Sequence, residues 1–171
     1  MAVLDLASGE VAQHKLQKSV SAVAPAPDGK TVLVLHKAAE PVEGEAPPTD
    51  LSGQIDASQG YSVLDVETGF TKLVLLDQAP LAAALTPDGA HAYVMVPSGL
   101  GTGHFVDDVD LRSMLVTEVP LGSAPTHAVY IPAAERVAVN QDHPVGRITF
   151  IKKETGATVT VTGFELNGLI E

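Results

Sequence analysis

Apolar and polar positions along this chain alternate in short runs that are cut off by turn residues, and the pattern predicts strands throughout. Thr31 to His36, Lys72 to Leu76, His91 to Val96 and Arg136 to Asn140 are rich in Val, Leu and other strand formers, and none continues long enough to read as an amphipathic helix. Between the runs stand turn signals of two kinds. Pro27-Asp28-Gly29 and Pro87-Asp88-Gly89 preset φ with proline and supply a left-handed position with glycine. Val3-Leu4-Asp5-Leu6-Ala7-Ser8-Gly9 and Val63-Leu64-Asp65-Val66-Glu67-Thr68-Gly69 run a strand into a tight hairpin, where the Asp accepts from turn amides. The two signals keep a fixed spacing: Asp5 to Pro27, Asp65 to Pro87 and Asp110 to Pro132 each span 22 residues. Later copies are degenerate. Met114 stands where the hairpin glycine is expected, Lys152 where the Asp is expected, and Pro132-Ala133-Ala134 replaces Pro-Asp-Gly.

A cassette repeated with constant internal spacing predicts a stacked architecture, because one small sheet cannot cover its own apolar faces. Four strands per repeat at a period near 45 residues match the blades of a β-propeller, and Ala22, Ala24, Ala82, Ala83 and Ala84 suit the crowded strand nearest the axis. The expected fold class is therefore all-β, with propeller blades of four antiparallel strands. The blocks Ala84 to Val96 and Ser62 to Gly69, with Arg136-Val137-Ala138-Val139-Asn140, resemble the YVTN-type (YncE-like) propeller repeat family. That resemblance implies a C-terminal partial propeller and an extracytoplasmic setting for the full-length protein, at the periplasm or cell surface.

The chain opens with the outer two strands of one blade and continues with three complete blades, about three and a half in all, or half of a seven-bladed ring. Three readings stay open: a piece of a longer propeller, a half that pairs with a second copy, or an open solenoid-like stack. Open blade faces and edges invite self-association in each case. The whole of 1–171 reads as a single partial propeller domain. Residues 38–60 interrupt the period between the second and third strands of the first full blade, with Pro41, Pro47, Pro48, five carboxylates and no Lys or Arg. Such a mix predicts an extended, solvated acidic loop.

Composition narrows the functions. A formal net charge of −11 with scattered basic residues disfavours nucleic acid and anionic membranes. No apolar run is long enough for a membrane span, and the absence of Cys excludes thiol nucleophiles, zinc-thiolate sites and disulfides. The glycines between Pro97 and Gly103 precede no helix, so they do not read as a phosphate cradle. No metal ligand set and no cofactor is assigned.

Both kinds of turn fall on one rim of the ring. The links before each innermost strand and the loops after each second strand fall on the other, and the unusual residues collect there. His127, His104, His143, Asp142 and His36 are the ligand-binding candidates; His127 stands out because its counterparts Ala22 and Ala82 are methyl-bearing. Asp108 occupies a position that is Val3, Val63 or Phe150 in the other copies, so its carboxylate is expected to be buried between blades and paired with Arg112, Arg136, Arg147 or His104. The expected function is a non-enzymatic scaffold that binds a protein, a cell-envelope component or a small ligand at that rim. The alternative, which the resemblance allows, is a propeller enzyme, a lactonase-like hydrolase or a metal- or cofactor-dependent oxidoreductase, with its site at the channel mouth near His127. No catalytic residue is assigned from the sequence.

Overall fold

The computed structural model describes residues 1–40, 43–44, 46–97 and 103–164. Fourteen strands form one two-stranded and three four-stranded antiparallel sheets among these residues. The half-blade pairs β1 (Ala2–Leu4) with β2 (Val11–Gln13). Blade one runs from the axis outward as β3 (Val20–Pro25), β4 (Thr31–His36), β5 (Gln59–Asp65) and β6 (Thr71–Leu76). Blade two repeats this order with β7 (Ala82–Leu85), β8 (His91–Val96), β9 (His104–Asp110) and β10 (Val116–Leu121). Blade three comprises β11 (Pro125–Ile131), β12 (Arg136–Gln141), β13 (Arg147–Lys152) and β14 (Thr158–Thr162).

The turns form for the reasons their residues suggest. Asp65 Oδ1 accepts from the Thr68 amide at 2.7 Å and from its hydroxyl at 2.8 Å, and these bonds hold the exposed Asp65 carboxyl below the usual carboxylate range. Asp5 and Asp110 accept from turn amides in the same way. The degenerate copies differ: Met114 keeps the left-handed conformation of the hairpin glycine with φ +56°, whereas in blade three Ala134 closes a 3-10 turn over Pro132–Ala134 and the left-handed residue moves one position on, to Glu135 with φ +49°. Flanking strands impose the left-handed residue there, at a cost of about 1 kcal/mol or more for a side chain with a Cβ.

Each blade packs on the next through alternate residues of its middle strands. Leu33, Tyr61 and Val63 of blade one meet Ala92, Val94, Val96 and Val109 of blade two; Tyr93, Met95 and Val106 of blade two meet Val137, Val139 and Ile151 of blade three. The half-blade covers Val32, Val34 and Leu64 with a smaller set that includes Met1 and Leu16. The outward face of blade three is bare, with Val129, Val159 and Val161 exposed by 49%, 52% and 45%.

The segment 38–60 differs from the extended loop that its composition predicts. Leu51–Ala57 form the helix α1, capped by Asp50, whose side chain accepts from the Gly53 amide, and Gln59 and Gly60 already belong to β5. The other end of α1 is held from the half-blade side. The buried Lys18 ammonium donates to the carbonyls of Ile55 and Asp56, satisfying acceptors that a helix end leaves open.

Candidate functional site

The five candidates from the sequence occupy separate places. His36 is buried at the end of β4, with Nε2 2.7 Å from the Ser62 hydroxyl and Nδ1 3.1 Å from the Ser19 carbonyl, so it ties the link to the sheet. Burial lowers its pKa, which favours the neutral ring in that role. His127 lies exposed on β11, opposite Asn140, on the side of blade three turned away from blade two. His104 begins β9 facing blade three, and its Nδ1 is buried with no partner among the described residues. Asp142 is exposed, and half-buried His143 receives only a long 3.4 Å bond from the Val145 amide. Among the described residues no three His, Asp or Glu side chains are grouped to hold a metal.

Asp108 is half-buried between blades two and three, and its partner is none of the four expected residues. His91, at the start of β8, places Nδ1 2.8 Å from Asp108 Oδ1. Burial raises the Asp108 pKa, and the bond to His91 opposes that rise. The pair lines a crevice of about 400 Å³ on the turn rim, beside Lys153, which is bonded to Asp88. That bond holds the Asp88 carboxyl well below the usual range.

A second concavity, of about 540 Å³, opens on the opposite rim, between blades one and two. At one wall lies Asp107, which strand alternation turns toward blade one. It is only 4% exposed, and the Tyr61 hydroxyl of blade one donates to its Oδ2 at 2.8 Å. Burial raises the Asp107 pKa, the Tyr61 bond opposes this, and the charge of Glu118 adds to the rise. Glu118 is its cross-strand partner on β10. Val74, Leu76, Phe105 and Val116 supply apolar walls, and Asp77 stands among the lining residues. None of the described lining residues is a Lys, Arg or His.

The repeat explains why Asp107 is unusual. Its counterparts are Ser62 and Thr149, and each bonds within its own blade, to His36 and Gln141 at the end of the second strand. In blade two that second-strand position is Val96, which has no side-chain donor. The polar group at position 107 therefore finds its donor across the interface, in Tyr61. A sequence alignment of the three copies holds this signal in the Ser-Asp-Thr column, but the contact spans 46 residues and belongs to no local motif.

No protein-family model matches the chain, and no curated protein matches it. Solved structures do match. The β-propeller domain of the trilobed protease from Pyrococcus furiosus, which has an open velcro topology, is 10% identical with a TM-score of 0.56, over 84% of this chain and 42% of that one. The dihydro-heme d1 dehydrogenase NirN is 11% identical with a TM-score of 0.57, over 95% and 35%. TolB from Acinetobacter baumannii is 14% identical with a TM-score of 0.50, over 82% and 31%. The chain thus spans less than half the length of these structures. Identities this low carry the fold alone, and together with the separate four-stranded sheets they make this chain a partial β-propeller.

Proposed function

We propose that this partial propeller is a non-enzymatic binding scaffold of the YVTN-type repeat family, and that its rim takes a small ligand in the cleft between blades one and two. The observation that carries the reading is the buried Asp107 carboxylate, fixed from the neighbouring blade by Tyr61, at the wall of a partly apolar cavity of about 540 Å³. A concavity of that size with few, converging polar groups is the usual form of a small-molecule site. A buried carboxylate adds little to stability that an apolar residue would not supply, so its retention there favours a role in recognition. The enzymatic reading centred on His127 gains no support, since that imidazole is exposed and has no described carboxylate beside it. The bare face of blade three supports self-association as a second property of the chain.

A crystallographic fragment screen tests the main reading. Fragments are expected to collect in the cleft lined by Val74, Phe105 and Asp107, and a screen whose hits all lie elsewhere would sink it. Light scattering across a concentration series tests self-association, with a monomer at every concentration counting against it.

A further inference from the structure

We propose that the cleft between blades one and two selects a ligand carrying a protonated alkylamine on an apolar body. This rests on the reading of that cleft as a ligand site and specifies its chemistry. Tyr61 occupies only Oδ2 of Asp107. Oδ1 accepts no hydrogen bond from a described donor, and the side chain, more than nine-tenths buried, lines the cavity. An N–H group entering the cavity therefore has an acceptor there.

The charge pattern fixes the sign of the ligand. Glu118 lies directly opposite Asp107 on β10, and like charges across an antiparallel pair destabilise each other. A cation seated between the two carboxylates turns that repulsion into attraction on both sides. Asp77 adds a third negative charge, and no described lining residue neutralises any of them.

The donor geometry separates the cations. A guanidinium binds a carboxylate best as a fork on both oxygens, but Tyr61 already holds one of them. A hard divalent ion needs six or more oxygen ligands, whereas no three acidic or imidazole side chains are grouped here among the described residues. An ammonium is a compact charge with three donors, enough for Oδ1 and the Glu118 carboxylate together. The walls formed by Val74, Leu76, Phe105 and Val116 then receive the alkyl part.

NMR titration of the whole chain with n-hexylamine at neutral pH tests this, with 1-hexanol, hexanoate, hexylguanidine and calcium chloride as comparison probes. Hexylamine is expected to shift amides in 74–78, 103–107 and 116–118, with an affinity at least tenfold above that of hexanol. Asp107→Asn, an isosteric change that keeps an acceptor for Tyr61, is expected to weaken it at least tenfold. Glu118→Gln, at the exposed edge strand, is expected to weaken it several-fold. Glu154→Gln removes the same charge at the other rim and is expected to change nothing. Equal binding of hexanol or hexanoate in the cleft would overturn amine selectivity while leaving a ligand site. Stronger binding of hexylguanidine or calcium would overturn the choice of cation. No cleft shifts with any probe would overturn the amine proposal and the ligand-site reading together.

Discussion

Asp107 and Asp108 are adjacent on β9, yet they face opposite blades and are held by different chemistry. Asp107 meets a phenol that stays neutral, because burial and the neighbouring carboxylate push the Tyr61 pKa far up. Asp108 meets an imidazole, and both members of that pair keep some solvent contact, with side chains 21% and 11% exposed. Both carboxyls sit above the ordinary value of 3.8, mainly because of burial. The first interface therefore leaves Asp107 with a single neutral donor beside the larger of the two concavities described, whereas the second pairs Asp108 with an imidazole at a smaller, partly solvated crevice.

The largest test of that contrast is Tyr61→Ala, expected to cost about 3–5 kcal/mol by opening a cavity between blades and orphaning Asp107. Urea denaturation measures it. Tyr61→Phe isolates the hydroxyl and is expected to cost about 1.5–3 kcal/mol at neutral pH, and His91→Gln about 1–2 kcal/mol, because Asp108 is nearer solvent. Equal costs for these two changes would erase the distinction between the interfaces.

The pH dependence sharpens it further. A carboxyl whose folded pKa is raised binds its proton earlier in the native than in the unfolded state, so stability rises as pH falls through the folded pKa toward 3.8. Asp5, Asp65 and Asp88 are depressed and act in the opposite sense, contributing stability that is lost only below that value. The gain from the two raised carboxyls is opposed by His36, whose lowered pKa costs stability as pH falls below 6.5, and Asp107→Asn is expected to remove that carboxyl's share of the gain. A profile unchanged by that substitution would remove Asp107 as its source.

The smallest effect lies away from both interfaces and calibrates them. Glu135→Gly is expected to stabilise the chain by about 0.5–1 kcal/mol, since the exposed residue holds φ +49°. A neutral or destabilising result in a thermal or urea scan would show that the turn imposes no strain.

The blades were legible in the sequence because their information is local: Asp65 and Gly69 set one turn, Pro87-Asp88-Gly89 the other, and alternation sets which face is apolar. Replacing glycine by Met114 left the hairpin backbone left-handed, because the paired strands on either side determine it, whereas Ala134 in the glycine position of the other turn moved the left-handed residue to Glu135. The face of β9 on which Asp108 lies followed from strand alternation. The partner of Asp108 did not, since His91 stands opposite Asp110 and reaches Asp108 diagonally. That register depends on how β8 and β9 meet across the stretch from Pro97 to Gly103, whose glycine-rich residues 98–102 lie outside those described. Helix α1 was hidden for a similar reason. Seven residues among prolines and carboxylates make a weak local signal, and the Lys18 that completes its end comes from a distant link.

The two-stranded sheet β1–β2 contains the third and fourth strands of a blade, so the axis-side edge of β1 has the shape of a splice point. A segment patterned on Pro80 to Val96, fused ahead of Ala2, would supply the two strands nearest the axis and turn the half-blade into a fourth full one. Blade number would then become an adjustable quantity for protein engineering, changed by gene length while the existing interfaces stay untouched.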